Sequence, residues 1–171
     1  MKIFKIFKTC AYISMACSAM IALPAYSQQQ TLSDPEIASI AVTANQVDVN
    51  AGELAKSKTK RKEVENFANT MINDHKAVIA QAVALVTKLK VTPKDNAVSK
   101  KLLADAGKTK KMLSAKSGKA FDKAYIDNEV AYHKAVTSTV ETVLIPQTQN
   151  QELKELLQNV LPALRTHLEH A

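Results

Sequence analysis

Apolar residues recur at spacings of three and four along most of the chain after Ser33, and there is no run in which apolar and polar residues alternate. This period is typical of amphipathic α-helices, whereas alternation would indicate strands. With capping and turn residues as boundaries, the sequence predicts helices over approximately residues 34–57, 61–90, 96–115, 119–145 and 149–170. The third is the most polar. The predicted fold class is therefore all-α, a four-helix bundle with an additional shorter helix.

Two local features sharpen the helix boundaries. Ser33-Asp-Pro-Glu36 has the spacing of a capping box, in which the glutamate side chain bonds back to the start of the helix. Pro162 falls inside the last predicted helix, but the apolar spacing continues beyond it to His167. The sequence therefore predicts a bend at Pro162 and not the end of a helix.

Polar residues interrupt the apolar faces of four predicted helices. Three of the chain's four histidines do so, and each is on a different helix; one carboxylate on the first helix and one on the fourth are placed in the same way. Burying such groups is costly unless a partner satisfies them, and inward-facing imidazoles and carboxylates are ligands of transition metals. A hydrogen-bonded core network is the alternative. The predicted metal ligands are Asp48, His75, Glu129, His133 and His167.

The rise of about 1.5 Å per helical residue indicates which of these groups lie at the same height in the bundle. Counted from the predicted turns, Glu129 and His167 differ in height by about 3 Å, and Asp48 and His75 by about 7 to 8 Å. The first pair is close enough to share a site, and the second needs a long side chain or a water molecule as a bridge. The candidates for hydrogen bonds to these ligands are Asp74, Asp122 and Tyr125.

Motifs of known enzyme classes are missing from the sequence. The nearest approach to the Glu-x-x-His pair of di-iron proteins is Glu129-x-x-x-His133, and there is no His-Glu-x-x-His, glycine-rich phosphate loop or Gly-x-Ser-x-Gly elbow. The two cysteines, Cys10 and Cys17, both lie close to the N-terminus, which leaves the rest of the chain without a thiolate ligand or nucleophile. An enzyme is the least supported class, and no catalytic residue is assigned.

The N-terminal segment, residues 1–27, has the three parts of a secretory signal. Three lysines precede an apolar run over residues 10–23, and small residues follow Pro24. The run is shorter than a membrane span, so we expect cleavage after Ser27, or after Ala25, with a retained anchor or a lipid-modified Cys17 as alternatives. Residues 28–171 then form a single domain that does not span a membrane. We expect it in the periplasm of a two-membrane bacterium, either free or associated with the outer membrane.

Charge suggests a second kind of function. The formal net charge is +7, and lysines and arginines concentrate in residues 56–62 and 108–119. Such segments are either solvated helix ends or a surface for an anionic partner. Nucleic acid is excluded as a partner because no aromatic residues are interleaved with the lysines. The alternative to metal binding is thus a non-enzymatic envelope or stress-related module that binds an anionic surface or a protein.

Several segments in order resemble one group of exported bacterial proteins. They are Met71-Ile-Asn-Asp-His75, Phe121-Asp-Lys-Ala-Tyr125 with His133 eight residues later, and Leu161-Pro162 followed by His167. The chain resembles domain-of-unknown-function family 4142 from about Ile37 to its C-terminus. The resemblance implies export, a ferritin-like bundle and, by analogy, a metal site, but it transfers no activity. Where the family usually has glutamate in the first helix, Asn45-Gln-Val-Asp48 supplies aspartate.

Overall fold

A computed structural model describes residues 31–171, and within this range all regular structure is helical. The helices are α1 (Asp34–Lys58), α2 (Lys62–Lys88), α3 (Ala97–Ser114), α4 (Gly118–Thr139), a π-helical segment (Val140–Leu144), the short α5 (Ile145–Gln147) and α6 (Gln151–His170). The predicted all-α fold class is confirmed. The secretory signal predicted over residues 1–27 lies outside the described range and stays a prediction.

Helix ends follow the capping residues. The Ser33 backbone N–H donates to Glu36 Oε2 at 3.0 Å, so the predicted capping box forms at the start of α1. Asn96 accepts hydrogen bonds from two backbone N–H groups at the start of α3, and Asn150 accepts one at the start of α6. Each cap satisfies backbone donors that have no partner within the helix. These local bonds fix where the helices begin.

The four long helices form the bundle. α1 packs against α2 and α4, and α6 packs against α4 and α2, whereas the shorter α3 packs mainly against α1. Gly52 allows a close approach of α1 and α2, because a Cβ atom there would lie 2.9 Å from Ile72 Cγ1 and 3.1 Å from the Ala68 carbonyl oxygen. Any larger residue at position 52 would push α2 away from α1.

Two groups of buried apolar side chains hold the bundle together. The first apolar cluster consists of Leu32, Ile37, Ile40, Val140, Leu144, Leu153, Leu157 and Leu164. The second apolar cluster consists of Ala55, Val64, Ala68, Leu113, Phe121 and Tyr125. On α1 the two clusters occupy opposite ends of the helix, and the second cluster lies at the start of α4 while the first lies just beyond its end. The middle of the bundle, between them, is where the predicted metal ligands lie.

The fourth helix continues further than the sequence predicts. It passes through the π-helical segment and ends at Gln147, two residues after the expected end at Ile145. Pro146 has no N–H to donate, and its ring would collide with a carbonyl of a regular α-helix. The wider π turn accommodates it, and the Ile145 N–H bonds to the Val140 carbonyl five residues back.

The last helix, α6, continues through Pro162 without ending, as the spacing predicts. His167 is therefore carried on the same helix as the first apolar cluster residues Leu157 and Leu164. Packing of those leucines thus fixes the position of His167 relative to the other helices. Within residues 31–171, no helix is long and apolar enough to cross a membrane.

Candidate metal centre

The five residues predicted as metal ligands come together in the middle of the bundle. Each is at most 4% exposed, and they reach this point from α1, α2, α4 and α6. We call this group the polar centre: Asp48, His75, Glu129, His133 and His167. The fourth histidine, His170, is exposed. Burial of three imidazoles and two carboxyl groups at one point is costly without compensating interactions.

The three imidazole rings form a triangle. Their centroids are separated by 5.6 Å between His75 and His133, 5.1 Å between His75 and His167, and 5.3 Å between His133 and His167. One nitrogen of each ring lies within 4.8 Å of a nitrogen of both others. One ion placed among these nitrogens could reach all three after small side-chain adjustments.

Two of the imidazoles are held from outside the triangle. His75 Nδ1 is 2.7 Å from Asn45 Oδ1, and His133 Nδ1 is 3.0 Å from the Glu129 carbonyl oxygen. Both partner atoms are acceptors, so each Nδ1 carries the proton and donates. This tautomer leaves the lone pair of a neutral ring on Nε2.

The third imidazole also bonds an acceptor outside the triangle, but through Nε2 and not Nδ1. His167 Nε2 is 2.9 Å from Asp74 Oδ2, and the Asp74 side chain is half exposed. His167 therefore presents Nδ1 to the triangle. Outer acceptors that fix the ring and its tautomer are a regular feature of histidines that bind metals.

The inner atoms of the polar centre lack hydrogen bonds. Among residues 31–171, His75 Nε2, His133 Nε2, His167 Nδ1 and both carboxylate oxygens of Asp48 have no hydrogen-bond partner. Asp48 Oδ2 nevertheless lies 3.3 Å from His75 Nε2 and 3.4 Å from His133 Nε2. Three imidazoles and one carboxyl group thus face one another closely without hydrogen bonds among them. Buried polar groups of this kind usually require a partner.

The two carboxyl groups lie on one side of the polar centre. Asp48, Glu129 and His133 place one ligand atom each within 4.8 Å of one another, so this group shares His133 with the imidazole triangle. Burial raises the pKa of Asp48 from 3.8 to about 7. Burial, and then the charge of Asp48, raise the pKa of Glu129 well above its usual value. Two carboxyl groups in one buried site cannot both ionise easily, because the two negative charges would repel each other.

The pKa values of two imidazoles are shifted downward, opposite to those of the carboxyl groups. Burial, followed by the neighbouring histidines, lowers the pKa of His75 to about 3. Burial likewise lowers the pKa of His133 to about 4, although its hydrogen bond to the Glu129 carbonyl partly offsets this. Both rings are therefore neutral at pH 7 and have a free lone pair, which is the form that binds metals.

The residues predicted to assist the ligands divide into two groups. Asp74 accepts a hydrogen bond from His167, whereas Asp122 and Tyr125 are buried but make no hydrogen bond to the polar centre within the described range. The side chains of Asp48 and His75 span the predicted difference in height without a bridging water, because Asp48 Oδ2 lies 3.3 Å from His75 Nε2.

Sequence reasoning assigns no role to Asn45, the residue that orients His75. Asn45 lies three residues before Asp48, so the two side chains share one face of α1. That spacing is the available signal. Its amide also donates to the Ala41 carbonyl at 2.8 Å, which fixes the side-chain oxygen toward His75.

Comparison with known proteins gives a family and a fold. The family model described as domain of unknown function (DUF4142) matches residues 21–171, and the chain belongs to this family. The predicted resemblance is confirmed. Comparison with curated proteins gives no match. A solved structure described as "CopM in the Cu(II)-bound form" is similar with a TM-score of 0.62 at 15% identity, over 82% of this chain and 93% of that one.

Proposed function

We propose that this member of the DUF4142 family binds one transition-metal ion in the polar centre, through the three imidazoles of His75, His133 and His167 and the carboxylate of Asp48. One observation carries the proposal: in the described range, the inner nitrogens of all three rings lack a hydrogen-bond partner, while the outer nitrogens are each held by an acceptor. A hydrogen-bonded core network would use the inner nitrogens. Lone pairs that converge without donors are suited to a cation.

The spacing of the donor atoms supports a tetrahedral arrangement. Metal–nitrogen and metal–oxygen bonds of about 2.0–2.1 Å place neighbouring tetrahedral ligands about 3.3–3.4 Å apart. Asp48 Oδ2 lies 3.3 Å from His75 Nε2 and 3.4 Å from His133 Nε2. These separations are long for hydrogen bonds but equal to two edges of such a tetrahedron.

Charge in the polar centre also favours a cation. Asp48 and Glu129 are buried side by side, and in the absence of an ion their ionisation is opposed by burial, as the raised pKa of both groups indicates. A divalent ion would stabilise the ionised carboxylates and displace the proton. Glu129, which has a ligand atom within 4.8 Å of ligand atoms of Asp48 and His133, would then be a neighbouring carboxylate that balances the charge of the ion.

The donor set narrows the choice of metal. Three imidazoles and one carboxylate suit Zn²⁺, Cu²⁺ and related ions and do not suit Ca²⁺ or Mg²⁺, which prefer oxygen ligands. Cu²⁺ is the divalent ion of this series that nitrogen sites bind most tightly. The similar bundle named for its Cu(II)-bound form supports copper as the first ion to test. We propose metal binding and handling in the periplasm, the compartment that the predicted signal implies.

The test is a metal titration of tag-free protein that begins at residue 28. We expect one Cu²⁺ or Zn²⁺ per chain, and at least 100-fold weaker binding by His75→Ala and His133→Ala. His170→Ala is the matched control, because this exposed histidine lies on the same helix as His167 but outside the polar centre. Equal affinities in the parent, the two variants and the control would remove the proposal.

A second candidate function has its own observation. The two lysine-rich segments lie at the same end of the bundle, because Lys58 Nζ donates to the Ser114 carbonyl and lies 5.3 Å from the centroid of the Phe121 ring. This end carries Lys56, Lys60, Lys110, Lys111, Lys116 and Lys119, which make no ion pair within residues 31–171. Clustered basic residues attract anionic surfaces.

Binding to vesicles that contain anionic phospholipid tests this second candidate. We expect binding that falls strongly between low and physiological salt and is unaffected by a chelator. Lys110→Glu with Lys111→Glu should reduce it about tenfold or more, whereas Lys90→Glu, on the loop after α2, should leave it nearly unchanged. Binding that is insensitive to salt and to these changes would exclude an electrostatic surface.

A further inference from the structure

The polar centre is one wall of a large cavity. The cavity has a volume of about 740 Å³ and is bounded by α1, α2, α3, α4, the π-helical segment and α6. Asp48, His75, His133 and His167 all line it. It reaches the surface along α3, where two lining residues, Val98 and Leu103, are 38% and 55% exposed.

The cavity is a cleft that is partly open to solvent, and its volume is much larger than the gaps that ordinarily remain between packed helices. Protein interiors are close-packed, and voids much larger than a water molecule are few. Small side chains on three helices create the space: Ala41, Ala44 and Ala51 on α1, Ala82 on α2, and Ala106 on α3. An apolar ligand that covers these walls removes apolar surface from water, which favours its binding.

The cavity walls are mostly apolar, although a few charged side chains, among them Glu53, Asp105 and Lys110, also line it. Among the described lining residues, Tyr132 is the one aromatic ring apart from the histidines. The larger apolar residues include Ile40, Leu102, Val136, Leu144, Leu157 and Val160. A cavity of roughly 300–1,000 Å³ with apolar walls and a few convergent polar groups is typical of a small-molecule site. Flexible aliphatic walls with a single aromatic ring besides the histidines fit an aliphatic chain better than a planar ring.

We infer that this cavity binds the aliphatic chain of a fatty-acid-like amphiphile, whose carboxylate head would lie beside the metal in the polar centre as a fifth ligand. The chain would lie along the aliphatic walls, and its head would lie where the inner imidazole nitrogens and Asp48 converge. Only the position of the head rests on the proposed metal site. A cation bound in the polar centre would supply the positive charge that attracts this carboxylate.

The absence of tryptophan from the chain gives a direct probe of chain binding. Leu103→Trp places one indole at the cavity, and Val83→Trp places one on α2 at a position that does not line it; the native residues are 55% and 50% exposed. A fatty acid brominated near the middle of its chain quenches indole fluorescence on contact. We expect saturable quenching of the first variant at one ligand per chain and little quenching of the second. Equal quenching, or none, overturns the inference.

Zn²⁺ tests the position of the head, because this ion has no redox chemistry. We expect loading with Zn²⁺ to strengthen binding of the brominated fatty acid about tenfold or more, and to leave the corresponding brominated alcohol nearly unchanged. If both ligands bind equally with and without Zn²⁺, the chain site is supported and the head assignment is overturned. If the protein binds neither Zn²⁺ nor Cu²⁺ but the alcohol still quenches, the proposed metal function fails and the chain site stands.

A variant that fills the cavity provides an independent test. Ala106→Phe, made in the Leu103→Trp background, adds a ring to the cavity wall on α3, a helix that carries none of the metal ligands. We expect it to abolish quenching and to change Zn²⁺ affinity by no more than about twofold. A helical circular dichroism spectrum confirms that the variant folds. Unchanged quenching by the amphiphile in this folded variant would contradict the inference.

Discussion

The ends and the middle of the bundle are built differently. At both ends, side chains in the two apolar clusters pack against one another across helices. In the middle, the same helical faces carry Asp48, His75, Glu129, His133 and His167, and several inner atoms of these side chains have no hydrogen-bond partner in residues 31–171. The ends therefore supply stability, and the middle gives up some stability to keep donor atoms free. Departures from good packing of this kind are expected at functional sites.

The largest effect on stability is expected at an end of the bundle. Phe121 is fully buried in the second apolar cluster, and its ring is stacked with Tyr125 at a centroid separation of 6.3 Å. Phe121→Ala should lower the free energy of unfolding of the metal-free protein by about 3 to 5 kcal/mol. Urea denaturation in the presence of a chelator measures this. Val83→Ala, at a half-exposed position, is the control. A similar loss of stability there would contradict the claim that the apolar cluster supplies most of the stability.

A substitution in the middle of the bundle should raise the free energy of unfolding at alkaline pH, whereas Phe121→Ala lowers it. The pKa of Asp48 in the folded protein, about 7, lies above the ordinary value of 3.8. The folded state therefore holds this proton more tightly than the unfolded state, and stability is lost as the pH rises from about 4 to 7. Asp48→Asn removes the ionisation. We expect the metal-free variant to be more stable than the parent at pH 8 by roughly 1 to 4 kcal/mol.

The same variant should also lose metal affinity, which distinguishes a ligand from a residue that is only buried. The stability difference between variant and parent should disappear below about pH 4, where Asp48 is protonated in both states. His75 and His133 act in the other direction: their lowered pKa values mean that acid destabilises parent and variant alike below about pH 6.5. Urea titrations of the metal-free proteins from pH 4 to 8 test the predicted stability difference. A variant less stable than the parent at pH 8 would contradict it.

A smaller effect is expected from the residue that orients a ligand. Asn45→Ala removes the acceptor 2.7 Å from His75 Nδ1 and leaves the ring free to rotate or change tautomer. Loss of such an outer partner typically weakens metal binding by about 10- to 100-fold. Competition titration with a chelator of known affinity measures it. Gln46→Ala, at the exposed neighbouring position, should bind the metal as the parent does, and an equal loss in both variants would contradict the role of Asn45.

The fold was predictable because it depends on local signals. Helix faces, the Ser33 cap and the continuation through Pro162 follow from spacing and residue type along one segment. The inward histidines were found in the same way, since a polar residue in an apolar face is visible in the sequence. What the sequence could not provide is geometry between helices: the 3.3 Å approach of Asp48 to His75, the tautomer set by Asn45, and the cavity beside them. These depend on crossing angles and side-chain rotations.

The smallest effect is expected one residue from a ligand. Lys76 follows His75 on α2, but it points to solvent and pairs with Glu53 at 3.0 Å, and both side chains are more than half exposed. Water screens such a pair, so Lys76→Ala should change the free energy of unfolding by only about 0 to 1 kcal/mol. It should also leave metal affinity unchanged, because a step of one residue turns a side chain about 100° around the helix. A large loss of metal binding in Lys76→Ala would mean that charge on the α2 surface, and not the imidazole triangle, controls the site.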